Sequence, residues 1–126
     1  MQPRPTASEL LETVARVLEE QIVPALSGPV QHNARVAASL VAIVERELRL
    51  SPVTDATELA SLRTVLGSDA PSYASLPELR SSFASALRSG LADDKSKSDE
   101  LWSVLMAGAR SDLAVVKPGH DAWSGD

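Results

Sequence analysis

Cysteine is absent from this 126-residue chain. Disulfides, thiolate metal sites and a cysteine nucleophile are therefore excluded. Only two histidines are present, His32 and His120. Neither has a further ligand three or four positions away, so the HExxH and ExxH metal patterns are missing, and both are read as structural or surface residues. There is no Walker lysine, no GxGxxG, no glycine-rich loop at a helix start and no GxSxG, which leaves nucleotide binding and serine hydrolysis without a sequence basis. Positive charge is not in excess: 12 Lys and Arg stand against 17 Asp and Glu, for a net charge of −5. The basic residues are scattered among acids, no helix reads as a basic recognition helix, and nothing draws the chain to nucleic acid or an anionic membrane. No run of about 18 apolar residues occurs, so no transmembrane helix is expected. The first residues turn polar and helical at once, without a signal-peptide h-region, and the expected compartment is the cytoplasm.

What is present is the composition of a globular chain, 44% hydrophobic and 23% charged, at a length that suits one domain. Thr6-Ala7-Ser8-Glu9 has the form of a capping box. Behind it Leu10, Leu11, Val14, Val17, Leu18 and Ile22 recur at helical spacing, with Glu12, Arg16, Glu19 and Glu20 opposite. Pro24 has no amide to donate, so the helix ends or kinks near residues 21–23. A second helix is expected from about Val30 or Gln31 to Leu50, closed by Pro52. A third runs from Asp55, as its cap, to Gly67, with Leu59, Leu62, Val65 and Leu66 as its stripe and the glycine as a left-handed stop. Ser75-Leu76-Pro77-Glu78 is a second capping box. It opens a helix that buries Leu79, Phe83, Ala86 and Leu87 and ends near Gly90. The last helix starts near Ser98 and carries Leu101, Trp102, Leu105, Met106, Ala109 and Leu113, with Trp102 expected in the core. No segment alternates with a strand period. The reading is an all-α fold, a compact bundle of four to five mostly antiparallel helices. It forms a single domain over residues 1–126, with an ordered core of about 5–117 and a polar tail over 118–126. Trp123 in that tail is expected to dock on its own domain or on a partner.

The stretch Ala34 to Leu48, ARVAASLVAIVEREL, raises a specific question. Four alanines allow neighbouring helices to approach closely, and apolar residues cover more than one face, as on a central helix. Arg35 and Ser39 nevertheless share a face, which Ala42 and Arg46 continue. An unpaired guanidinium in a dry core is costly. Arg35 therefore either reaches an internal carboxylate or helix C-terminus, or faces another chain. Glu45, Arg46, Glu47 and Arg49 form a charge cluster, in which Glu45 and Arg49 make an i,i+4 pair of favourable orientation. It is read as a solvated face or a partner surface.

Three segments together carry a resemblance: RPTASELLETVARVLEEQIVPAL, ARVAASLVAIVERELRL and LAVVKPGHDAW. They resemble a family of small all-helical bacterial proteins encoded beside aminoglycoside-phosphotransferase-like kinases and acyl-CoA dehydrogenases. They are similar in particular to the small companion subunit of the 4-hydroxyacyl-CoA kinase of levulinate catabolism. Arg35, Glu45, Arg46 and Glu47 match the family pattern, whereas Asn33 stands where histidine is common and Ser39 where asparagine is common. The resemblance implies a non-catalytic accessory subunit, without cofactor or metal, that binds and supports a phosphotransferase-like kinase acting on hydroxyacyl-CoA. It carries over Arg35, Glu45, Arg46 and Glu47 as interface or structural residues; Ser39 and Trp123 join them as candidates on the reading of the residues alone. The residues alone leave a second reading beside it, a stand-alone homodimeric helical module that holds a small acyl ligand. That reading needs an apolar pocket with a few convergent polar groups, Arg35 and Ser39 among them.

Overall fold

The computed structural model describes residues 3–120, the side chain of Asp69 apart. The fold is all-α, with four α-helices and no strand among the described residues. They are α1 (Ala7–Val17), α2 (Gly28–Leu66), α3 (Leu76–Arg88) and α4 (Ser98–Val116). Short 3-10 turns at Val23–Ala25, Gly67–Asp69 and Leu91–Asp93 punctuate them. None of these helices is long and apolar enough to cross a membrane.

Both capping boxes form. The Thr6 hydroxyl accepts from the Glu9 amide at 3.2 Å, and the Thr6 amide donates to the Glu9 carboxylate at 2.7 Å. Arg4 adds an ion pair to the same carboxylate. Ser75 and Glu78 repeat the exchange at the start of α3. Each box satisfies amides that a helix N-terminus leaves without partners. At the other end of α1 the chain widens into a π turn, Leu18–Ile22, in which the Val23 amide donates to the Leu18 carbonyl five residues back. Pro24 has no donor to continue an α ladder, and the chain tightens instead into the Val23–Ala25 turn. The expected stop of α1 is thus met by a change of pitch.

One expected boundary is corrected. Residues 30–50 and 55–67 were expected as separate helices, yet α2 runs unbroken from Gly28 to Leu66 with Pro52 inside it, and Asp55 is an interior residue, not a cap. The proline ring holds φ near the helical value; it costs the helix one hydrogen bond, to the Leu48 carbonyl, and crowds the preceding turn, and the helix continues past both. Further along, the Thr57 and Thr64 hydroxyls bond back to the carbonyls of Val53 and Ala60. Pro52 does mark a division of another kind, because the described residues split there into two compact units: residues 3–51 with 115–118, and residues 52–114 with 119–120.

In the first unit, α1 runs antiparallel to residues 28–51. Ser8 meets Glu45 at one end, and the Gln31 side chain donates to the Val23 carbonyl at the other. The alanine-rich stripe allows the expected close approach, with Ala38 only 2% exposed. Burial is otherwise slight: Val23, Ala38 and Glu45 are the buried residues of this unit among those described. Residues 34–48 are therefore not covered all round, contrary to the central position expected of them. The cause is that one antiparallel neighbour shields only one stripe of a helix.

The second unit holds a closed aliphatic core of Leu62, Val65, Leu66, Ala74, Leu79, Phe83 and Leu101. Leu59, Ala86, Leu87 and Val104 pack around it, as the stripes on α2 and α3 require. Arg80 clamps Glu58 with two hydrogen bonds, at 2.8 and 2.7 Å, and Arg63 donates to the Ala74 carbonyl. Gly67, at φ 57°, and Gly90, at φ 102°, take left-handed turns after α2 and α3, where a side chain would be strained. On α4 the expected face is corrected: Leu101 and Val104 point inward, whereas Trp102 is 58% exposed and Leu105 is also outside. Apolar residues wrap more than half of this helix, so their spacing alone does not choose between adjacent phases.

Leu79 is completely buried. Leu79→Ala is expected to cost about 2–5 kcal/mol in urea unfolding, through lost contacts and a residual cavity. Ser75→Ala should cost about 1 kcal/mol through the lost cap.

Candidate functional site

The polar line seen in the sequence lies in one groove of the first unit. Arg35, Ser39, Ala42 and Arg46 occupy one stripe of α2 and line an open groove of about 320 Å³, together with Ala38, Val23 and Glu19 from the π turn. Ala38, Ala42 and Val23 are small or aliphatic and leave room for whatever enters. Glu19 stands opposite two guanidiniums, so the lining carries one net positive charge.

The two arginines differ in their commitments. Arg46 is half-buried and donates from Nε to the Val115 carbonyl at 2.7 Å, at the last turn of α4. A cation there meets carbonyls that the helix leaves unpaired and the negative end of its dipole. That is the internal helix-terminus role considered for Arg35, and it falls to Arg46 instead. Arg35 is exposed and makes no hydrogen bond or ion pair among the described residues. Ser39 is also exposed on the same stripe.

The charge cluster at residues 45–49 breaks up in space. Glu45, read as part of a solvated face or a partner surface, is only 8% exposed. Its Oε1 accepts from the Ser8 hydroxyl at 2.7 Å and from Arg49 Nε at 2.8 Å. These bonds, that of Arg49 foremost and then that of Ser8, hold the carboxyl below its ordinary pKa, against the upward push of burial. Glu47 is exposed. Trp123 lies outside the described residues. His32 and His120 are exposed.

Sequence reasoning passed over Ser8 and Glu19. Ser8 had a legible signal: with Leu11, Ala15 and Leu18 it forms the inward stripe of α1, and a hydroxyl on such a stripe calls for an internal acceptor. Its partner, 37 residues away, depends on the hairpin register. Glu19 follows Ser8 by three helical turns, which sets it on the groove-side flank of the same inward stripe.

The groove presents two guanidiniums and the Ser39 hydroxyl as donors and the Glu19 carboxylate as an acceptor, a set suited to holding a polar or acidic group. No group of three His, Cys, Asp or Glu among the described residues is placed to hold a metal ion. A separate aliphatic cavity of about 120 Å³ lies in the second unit between α2 and α4, lined by Val53, Thr57, Ser61, Val104 and Gly108 among others. It does not include Arg35 or Ser39.

Residues 24–120 match a family described as a domain of unknown function, DUF6285. No curated protein and no solved structure matches the chain. The match covers most of the 126 residues, and the chain belongs to that family.

The lowered pKa of Glu45 gives a pH signature. A carboxyl whose pKa is lower folded than unfolded stabilises the fold above its unfolded value and loses that contribution as pH falls through the folded value. Glu45→Gln should therefore cost about 1–3 kcal/mol near pH 7. The gap to the unsubstituted chain should close as thermal unfolding is repeated at pH values falling below the ordinary carboxylate range. A gap that persists at low pH would show that the charge is not the stabilising feature.

Proposed function

We propose that this DUF6285 chain is a non-catalytic accessory subunit that binds and supports a phosphotransferase-like kinase acting on hydroxyacyl-CoA in acid catabolism. The observation that carries the reading is Arg35, exposed and without a partner among the described residues, on a rigid helix beside Ser39 and Arg46. A guanidinium presents a fixed fork of donors that matches a carboxylate with two parallel bonds. Here the fork is unused among the described residues, in a groove with space for an incoming side chain. An acidic residue of a partner protein is the complement that this groove selects. The identity of the partner rests on the resemblance of the three sequence segments to the companion subunit of such a kinase. The groove's own chemistry supports a binding role, since two guanidiniums and a hydroxyl supply hydrogen-bond donors beside the single carboxylate of Glu19.

A second reading, a homodimeric module that binds a small acyl ligand, draws on the aliphatic cavity of the second unit. Its volume of about 120 Å³ equals about four waters at the liquid value of ~30 Å³ each. That suits a short acyl chain and not the coenzyme that would carry it.

Co-expression with a phosphotransferase-like kinase from the same genome tests the proposal. The two should co-elute at micromolar concentration, and kinase activity should fall when this chain is omitted. Arg35→Glu should weaken binding by roughly 30-fold or more while leaving the fold intact. Separate elution of the unsubstituted proteins removes the accessory reading. Stabilisation of the isolated chain by an acyl-CoA in a thermal-shift series would favour the second.

A further inference from the structure

The groove of the first unit has a shape as well as a charge. Arg35, Ser39, Ala42 and Arg46 follow one another at spacings of four, three and four residues along α2. That is the spacing of a seam between packed helices. The stripe is about 16 Å long, roughly three turns, with a cation at each end and small side chains between. The groove's volume of about 320 Å³ equals about eleven waters at ~30 Å³ each. It has room for the side chains of one face of an incoming element and not for the element's backbone.

Both walls are helical, α2 on one side and the turns that follow α1 on the other. Helical backbone groups bond within their own helix, so such walls offer an incoming backbone neither donors nor acceptors. An extended segment would set its own unpaired amides and carbonyls against them. A helix arrives with those groups already bonded and presents only side chains. Charge narrows the choice further. Two guanidiniums face the one carboxylate of Glu19 in the lining. The Arg35 fork is unengaged among the described residues, and Arg46 commits its Nε to the Val115 carbonyl, one of five N–H groups.

We propose that the occupant is an acidic amphipathic α-helix of the partner protein. It sets two carboxylates about three turns apart against Arg35 and Arg46, with two aliphatic side chains between them over Ser39 and Ala42. The inference rests on the groove's being the partner surface, and it adds the partner's secondary structure and the spacing of its charges. A four-three-four spacing reads the same in both directions, so a helix of either polarity supplies it. A helix is about 10 Å wide, which makes the footprint about 160 Å². That is far below the ~1,000 Å² of a stable interface. The helix is thus one anchor within a larger contact and binds weakly when alone.

Fluorescence anisotropy of the full chain with a labelled, helix-forming peptide of about 18 residues tests the proposal. The peptide carries two glutamates with two leucines between them, at the same four-three-four spacing. It should bind with a dissociation constant of roughly 10–500 µM, weakening as salt is raised. Changing both glutamates to glutamine, or placing a proline at the centre of the helix, should weaken binding roughly tenfold or more. Arg35→Glu should do the same, and a peptide with one glutamate changed to lysine should recover the loss. Ser39→Leu fills the groove floor without altering its charge and should also block the peptide. Both positions are exposed, so helical circular dichroism should be unchanged in either variant. No binding up to about 1 mM peptide overturns the proposal. So does equal binding of the proline peptide, since the occupant is then an extended acidic segment. Self-association of the chain that Arg35→Glu abolishes overturns it too, since the occupant is then a second copy. No kinase enters these measurements. Peptide binding without kinase co-elution therefore fails the accessory reading alone. Kinase co-elution untouched by Ser39→Leu, without peptide binding, fails this one alone.

Discussion

One carboxylate sets the arrangement of the first unit. Glu45 receives the Ser8 hydroxyl across the hairpin and Arg49 from its own helix, and it does so nearly shielded from water. A buried charge that loses a partner is costly, so the bond from Ser8 resists sliding of α1 along α2. The register matters because each residue of slip turns a helical position by about 100°. A slip by one would take Leu11 and Ala15 off the alanine stripe and bring charged positions toward it. The place of the polar groove thus follows from where Ser8 and Glu45 meet.

The two units solve the problem of burial differently. In the second, aliphatic side chains from α2, α3 and α4 converge with Phe83, and Leu62 and Leu79 are sealed. In the first, alanines bring two backbones close, which gains contact but removes little apolar area from water, and stabilisation scales with that area. Large aliphatic residues on both helices remain outside.

The polar residues divide along the same lines. Arg46 and Arg49 are absorbed by the fold, one on a helix-terminal carbonyl and one on Glu45. Arg35, the first residue of the same polar line and equally cationic, is left to the groove. A charge that the fold has no use for is a better guide to recognition than one that holds it together, since its removal should spare stability.

Much was legible in the residues alone, because it depended on neighbours in the chain. The all-α class, the two capping boxes, the left-handed glycine at 67, the helix end near Gly90, and the stripes of Leu62, Val65, Leu66, Leu79 and Phe83 all follow from local spacings and from the chemistry of neighbouring residues. The line of Arg35, Ser39 and Arg46 was visible for the same reason. Tertiary structure decided the rest. It carried α2 through Pro52, where one lost hydrogen bond did not end the helix. It turned Trp102 outward, since a helix apolar on more than half its surface has no unique inward phase. It buried Glu45 and gave Arg46, not Arg35, the helix terminus. Each of these depends on which distant residue arrives opposite, and a helical period specifies a face without specifying what that face meets.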